Sequence, residues 1–191
     1  VIGQAQKTGS YTVSSLTTLF NLLYLCGGPT DLGSYRNIEV IRGNQLFKKT
    51  DLYSFLINGN RQDDILLQEG DVVKIPYCKT LISISGNVRR EGKYEMKEKE
   101  SFDNLLEFCG GLNDLAYKGG ATIISLTDTG RKVINISKSD FNSYQLKSGD
   151  DIFISRIQNT FSNRINITGS IQRPGNYELK DGLNLKDLIS N

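Results

Sequence analysis

The chain has 191 residues, of which 38% are apolar and 23% are charged, and this composition is typical of a folded globular protein rather than a disordered one. The net charge is only +2 with both signs interspersed, so neither nucleic acid nor an anionic membrane is indicated as a partner, and no apolar run approaches the roughly 18 residues of a membrane-spanning helix. Histidine is absent, which removes the commonest metal ligand and general base, so we expect no enzyme, no cofactor and no metal centre.

An internal repeat with a period of 83 residues organises the chain. The repeat shows in two sets of glycines and one set of tyrosines, and a fixed period is a stronger guide to architecture than local propensity. Later in the unit the offset falls to 79, because Gly70 corresponds to Gly149, so a deletion of four residues falls in a loop of the second unit. The sets are Gly3, Gly86 and Gly169; Gly9, Gly92 and Gly175; and Tyr11, Tyr94 and Tyr177.

The period predicts two nearly complete units and the opening of a third. The first spans 1–76 with its first strand truncated, the second spans 81–156, and the third covers 164–191 with a hairpin and part of a helix. Val1 corresponds to Ile84, which lies inside a predicted strand. We therefore expect the chain to be a window of a longer tandem array, with neighbouring domains of a parent chain as partners.

Each unit opens with a predicted β-hairpin. In the second unit, Ile82 and Ile84 alternate with polar residues and indicate a strand with one buried face. A turn at Gly92 leads to a return strand through Tyr94 and Met96, and the glycine supplies the positive φ that such a turn requires.

A short amphipathic helix follows each hairpin. Thr18, Ser101 and Asn184 occupy one register and are good N-cap residues. The glycine pairs after the helices predict helix ends at which a left-handed residue satisfies the last carbonyls. In the second unit the buried face is Phe102, Leu105, Leu106 and Cys109, and the glycine pairs are Gly27-Gly28 and Gly110-Gly111.

Three strands are predicted after each helix. In the first unit they cover 38–42, 46–52 and 71–75, and in the second they cover 121–126, 132–136 and 151–155. The order ββαβββ predicts an α+β fold in which each unit is a mixed sheet crossed by one main helix, the β-grasp or ubiquitin-like arrangement.

The three cysteines and the paired carboxylates do not form a reactive constellation in the sequence. Cys26 and Cys109 end equivalent helices of separate units, and Cys78 lies in the linker between them. We interpret the first two as small residues under the helix-ending glycines, and we expect all three thiols to be reduced.

One helix differs from its repeats on the face turned away from the core. Where the second unit has Asp103 and Glu107, the first has Phe20 and Tyr24, an i, i+4 aromatic pair. We therefore treat Phe20 and Tyr24 as a candidate interface covered by another domain or subunit. The alternative is that these rings lie against the longer 53–69 segment of their own unit.

These motifs resemble the SLBB domain, the soluble-ligand-binding β-grasp module. The resemblance rests on the phrase Gly169-Ser-Ile-Gln-Arg-Pro-Gly-Asn-Tyr177, the Gly-Gly pairs and the Gly-Asp before the closing strand. Cys26 and Cys109 depart from the alanine usual before Gly-Gly. In tandem, the units most resemble the polysaccharide biosynthesis and export proteins of the bacterial outer membrane.

The resemblance implies one of two roles. In the first, the units are periplasmic structural modules of a capsule or exopolysaccharide export protein, which forms a homo-oligomer around a passage for the polysaccharide. In the second, they bind a soluble ligand or a glycan, and polysaccharide is then a direct partner. A third role, DNA binding, lacks a basic stripe and a helix-hairpin-helix.

Overall fold

Residues 1–170, 172–182 and 184 are described by the structure, a computed structural model. The chain divides into two units, Val1–Arg156 and Ile157–Asn191. The first unit contains two mixed sheets, each with a separate buried core. The finer partition into 1–76, 81–156 and 164–191 stays a prediction.

The first sheet has four strands in the order β1-β4-β2-β3. Strand β1 pairs parallel to β4, while β2 is antiparallel to both β4 and β3. The closing strand β4 therefore lies in the middle of the sheet, where its alternate residues Val73 and Ile75 are buried. The strands are β1 (Ile2–Gly3), β2 (Ile38–Arg42), β3 (Gln45–Thr50) and β4 (Val72–Ile75).

The second sheet repeats this topology and adds one edge strand, the return strand of the predicted hairpin. Among the described residues the first repeat has no such strand, so its predicted hairpin does not form. The order of the second sheet is β6-β5-β9-β7-β8, with β5 parallel to β9 and the other pairs antiparallel. The predicted hairpin of the second unit is the β5–β6 pair, in which Ile84 lies opposite Gly92. The strands are β5 (Leu81–Gly86), β6 (Gly92–Glu95), β7 (Gly120–Thr127), β8 (Gly130–Ser137) and β9 (Asp151–Ile154).

Helices α1 (Leu19–Leu25) and α3 (Phe102–Phe108) cover the two sheets at equivalent positions. The Thr18 side chain caps α1 by accepting from the Asn21 N–H. Both helices end as predicted, since the second glycine after each helix donates back into its last turn, from Gly28 to Leu23 at 2.8 Å and from Gly111 to Leu106 at 2.7 Å. The α+β class with mixed sheets in tandem is therefore confirmed.

The first repeat contains a second helix that the sequence interpretation missed. Helix α2 (Leu52–Asn58) begins where a strand was predicted to run to residue 52. The Asp51 side chain accepts from the Tyr53 N–H at 2.9 Å, and Gly59 ends the helix in the left-handed conformation with φ 69°. In the second repeat the corresponding place holds only a 3-10 turn, Lys138–Asp140, so the first repeat has two helices rather than one main helix.

The smaller unit contains a hairpin of strands β10 (Arg164–Ile167) and β11 (Gly175–Glu178). The two strands pair antiparallel, with Ile165 opposite Tyr177. The helix predicted for this third repeat, through Leu185, Leu188 and Ile189, lies outside the described residues.

Gly86 lies where two parallel strands approach too closely for any other residue. It pairs with Ile154 of β9, its φ is 91°, and a Cβ atom would overlap the Ile154 carbonyl oxygen. Gly3 repeats this contact against Ile75 in the first sheet. At each of these positions glycine is required for two reasons: the backbone has a positive φ, and the neighbouring strand leaves no room for a Cβ atom.

We predict that Gly86→Ala destabilises the chain more than Gly111→Ala. Gly111 is the matched control, because its φ is also 91° and a Cβ there would meet nothing within 4 Å. Conformational strain alone should cost Gly111→Ala about 1–2 kcal/mol. Gly86→Ala should cost about 1–3 kcal/mol more, since overlap with the strand is added. Urea unfolding followed by circular dichroism measures the difference; equal losses would contradict the steric explanation.

Candidate functional site

A buried arginine joins the first repeat to the second. Arg36 precedes β2 and is only 6% exposed. Its guanidinium donates to Asp51 of the first repeat, with Nη2 3.0 Å from Oδ2, and to Glu100 of the second, with Nη2 2.7 Å from Oε1. Each carboxylate accepts hydrogen bonds from two nitrogens of the guanidinium. This two-point contact fixes the orientation of the guanidinium plane as well as its distance from Asp51 and Glu100.

Two aromatic rings enclose the same guanidinium. Its central carbon lies 4.7 Å from the ring centroid of Tyr53 and 4.9 Å from that of Phe108. Tyr53 belongs to the first repeat and Phe108 to the second, and the two rings meet edge to face at 5.1 Å. The guanidinium therefore contacts both repeats in two ways: its faces lie on the rings of Tyr53 and Phe108, and its edges bond to the carboxylates of Asp51 and Glu100.

A buried carboxylate completes the junction from the other side. Glu95, at the end of β6, is 3% exposed and accepts from the Ser34 hydroxyl at 2.6 Å and from the backbone N–H groups of Tyr35 and Arg36 at 2.8 and 3.1 Å. Its own N–H donates to the Tyr53 hydroxyl at 2.8 Å. The loop before β2 is therefore held on the second repeat by bonds in both directions.

Local structure explains why Asp51 and Tyr53 are available at this place. Both belong to the start of α2, the helix that the second repeat lacks, and Asp51 is also its N-cap. Lys97 of the second repeat adds a further ion pair to Asp51 at 2.7 Å. The additional helix of the first repeat therefore supplies half of the junction.

The protonation behaviour of the junction suits a structural contact. Burial by itself would raise the pKa of Asp51, but hydrogen bonds from Arg36 and Lys97 hold that pKa below its ordinary value. Burial raises the pKa of Tyr53 to about 12. These shifts keep Asp51 ionised and Tyr53 protonated near neutral pH, so neither group is poised for proton transfer there.

A second feature recurs in all three repeats at the predicted hairpin turn. The hydroxyl of each repeated tyrosine donates to the backbone carbonyl of the basic residue four positions earlier. The bond length in the first two repeats is 2.7 and 2.9 Å. This bond fixes a turn that carries one basic side chain per repeat, and the pairs are Tyr11 with Lys7, Tyr94 with Arg90, and Tyr177 with Arg173.

The predicted turn and cap glycines all have positive φ. Their φ values range from 74° at Gly28 to 157° at Gly175, which is the region that favours glycine. The full set is Gly3, Gly9, Gly27, Gly28, Gly86, Gly92, Gly110, Gly111, Gly169 and Gly175.

The cysteines lie apart from one another as free thiols. Cys26 and Cys109 are buried, and each thiol donates to a carbonyl of its own helix, Leu23 at 3.3 Å and Leu106 at 3.2 Å. Burial, together with the nearby Glu95 charge, raises the pKa of Cys78 to about 11. Within the described part of the chain, no cluster of His, Cys, Asp or Glu could hold a metal ion. No helix among those residues is long and apolar enough to cross a membrane.

The two residues of the candidate interface differ in exposure: Phe20 is buried and Tyr24 is exposed. Phe20 does not face water: it is 2% exposed, and its ring packs on Phe55 of α2 with centroids 4.7 Å apart. The expectation that another domain or subunit covers Phe20 is therefore corrected: its ring lies against Phe55 and its N–H donates to Asp64, both in the 53–69 segment of its own unit, which was the alternative. Tyr24 is 71% exposed. An interface at Tyr24 stays a prediction.

The junction itself was missed by reasoning from the repeat. Gly119 occupies the register of Arg36 in the second repeat, and Thr12 occupies that of Glu95 in the first, so neither residue recurs in both complete units. Glu178 does repeat Glu95 in the third unit. The available signal in the sequence was Glu95, a charged residue at the end of the half-buried strand β6, which pointed to a polar contact there.

The chain is similar to one protein family along most of its length and to two curated proteins over about half of it. The family model of the SLBB domain matches residues 1–54, 81–136 and 164–191. Two curated proteins of Escherichia coli, both called polysialic acid transport protein KpsD, are 30% identical to the chain over 99 residues. That stretch covers 52% of this chain and 16% of each relative, so the chain corresponds to a small part of those proteins.

We predict that Arg36→Met uncouples the two repeats. The variant keeps an unbranched apolar stem but leaves Asp51 and Glu100 without their shared cation, which should cost about 3–5 kcal/mol. Thermal unfolding should then show two transitions in place of one.

Arg61→Met is the matched control, because the Arg61 side chain is 62% exposed where it pairs with Asp64 at 2.7 Å. The Asp64 carboxylate keeps its bond from the Phe20 N–H at 3.0 Å, so the loss should cost about 1 kcal/mol or less. A single transition with unchanged midpoint in Arg36→Met would contradict the coupling.

Phe20 and Tyr24 should respond oppositely to substitution. Phe20→Ala removes a buried ring and should cost about 3–5 kcal/mol of unfolding free energy. Tyr24→Glu changes an exposed residue and should stay within about 0.5 kcal/mol. Chemical denaturation measures both, and light scattering on the same samples reports assembly. Tyr24→Glu that lowers stability as much as Phe20→Ala would show that Tyr24 is a core residue.

Proposed function

The chain belongs to the SLBB domain family, and from that premise we propose that it is a non-catalytic structural portion of a bacterial polysaccharide export protein. Its repeats would act as rigid spacers in the periplasmic part of an outer-membrane-associated, homo-oligomeric assembly. Capsule or exopolysaccharide would be the exported material.

The nature of the cargo is inferred from the relatives. Their name states that they transport polysialic acid, and the similarity to them extends over 99 residues at 30% identity. The matched stretch is only 16% of each relative, so a role of this chain in polysaccharide export is our proposal.

The Arg36 junction is the observation that carries the structural role. A flexible tandem would leave water and a linker between modules, whereas here the Arg36 guanidinium, two rings and the carboxylates of Asp51, Glu100 and Glu95 link the repeats. Two domains joined in this way present their surfaces in a constant relation to each other, as an oligomeric wall requires. Tyr24, exposed on the outer side of α1, is the candidate contact with a neighbouring domain or subunit.

An export assay in the bacterium that encodes the chain tests the proposal. Deleting the parent protein should abolish polysaccharide at the cell surface and cause it to accumulate inside the cell. Arg36→Met in the parent protein should reduce surface polysaccharide severalfold at equal protein level, while Arg61→Met should not. Normal surface polysaccharide after deletion would overturn the proposed function.

A further inference from the structure

A cleft opens beside the junction, between α2 of the first repeat and the β5–β6 hairpin of the second. Its volume is about 490 Å³, which falls in the range of small-ligand sites. One wall presents Tyr35, Tyr53 and Leu56, and the other presents Tyr94 with two basic residues, Arg90 and Lys93. The arrangement is therefore concave, aromatic and cationic on one side.

The two basic residues have no carboxylate partner among the residues that the structure describes. Arg90 and Lys93 are both exposed and take part in none of the ion pairs there. Glu95 also lines the cleft, but it is buried and already accepts the Ser34 hydroxyl and two backbone N–H groups. The positive charge of this wall is consequently available to an anionic ligand.

The hairpin holds Arg90 at the cleft by a defined contact. Its carbonyl accepts from the Tyr94 hydroxyl at 2.9 Å, the bond found at the equivalent place in each repeat. The guanidinium also donates to the carbonyl of Phe108 at 3.5 Å, across the end of α3. A cation on a constrained turn loses less conformational freedom on binding than one on a free loop.

The opposite wall carries an acceptor for hydroxyl groups. Asp31 is exposed and lines the cleft together with Tyr35. A ligand with one carboxylate and several hydroxyls fits this division, since the carboxylate meets Arg90 and Lys93 while hydroxyls donate to Asp31. Apolar faces of a sugar ring fit the tyrosine rings between them.

We propose that this cleft binds a carboxylate-bearing sugar unit of an acidic polysaccharide. The inference rests on the proposed function for the carbohydrate class, and on the cleft for the acidic character and the position of the site. A neutral glycan would leave Arg90 and Lys93 unused, and a simple anion would leave the aromatic walls and Asp31 unused.

Binding of an oligomer of sialic acid to the 191-residue chain tests the proposal. Isothermal titration calorimetry compares this oligomer with free sialic acid and with a neutral glucose oligomer of matched length. The double variant Arg90→Gln/Lys93→Gln should weaken binding about tenfold or more, because two charge-assisted hydrogen bonds are lost. The double variant Arg89→Gln/Lys132→Gln removes the same charge from exposed residues outside the cleft and should change affinity less than about twofold.

The outcomes separate the possible explanations. Equal weakening in the two double variants would mean general charge attraction and would overturn the site, as would equal binding of the glucose oligomer or no binding by the unaltered chain. If free sialic acid binds as tightly as the oligomer, the cleft takes one sugar; if the oligomer binds tighter, it takes a segment of a chain, and both results support the site.

The result is independent of the export assay. Export that requires the parent protein, together with a chain that does not bind the oligomer, would overturn the cleft site alone. A chain that binds the oligomer but is dispensable for export would overturn the proposed function alone.

Discussion

The burial of one guanidinium between two repeats governs how the first 156 residues behave as a unit. Arg36 bonds to carboxylates on both sides, and the rings of Tyr53 and Phe108 exclude water from it. A charge removed from water in this way is costly unless every partner is in place. The junction therefore tolerates little relative movement of the repeats, and the neighbouring cleft keeps its shape for the same reason.

The repeats are alike in what a β-grasp module needs and unlike in what joins them. Both place the closing strand beside the first strand, with a glycine at the parallel crossing, and both end the helix with a pair of left-handed glycines. Only the first adds α2, which carries Asp51 and Tyr53 to the junction and also covers Phe20. A single inserted element thus determines the inter-repeat contact and the burial of a residue on α1.

The polar groups described above are suited to joining the repeats and to binding a ligand rather than to catalysing a reaction. Hydrogen bonds from Arg36 and Lys97 hold Asp51 ionised against the effect of burial, while burial keeps Tyr53 and Cys78 protonated, so each of these groups is held in one protonation state. Arg90 and Lys93, by contrast, are exposed basic side chains on a constrained hairpin. A scaffold that carries a recessed cationic surface is consistent with both proposals made for the chain.

The sequence by itself determined the repeat, the α+β class, the hairpins that open the second and third units, the helices that follow in the first and second, and the glycines at their turns. These features follow from periodicity and from local conformational limits. Tertiary structure alone decided that residues 52–58 form a helix, that this helix buries Phe20, and that Arg36 meets Glu100. Those contacts join residues far apart in sequence, and most have no counterpart in the other repeat, so no period could reveal them. Their partners are selected by burial, which only the folded chain creates.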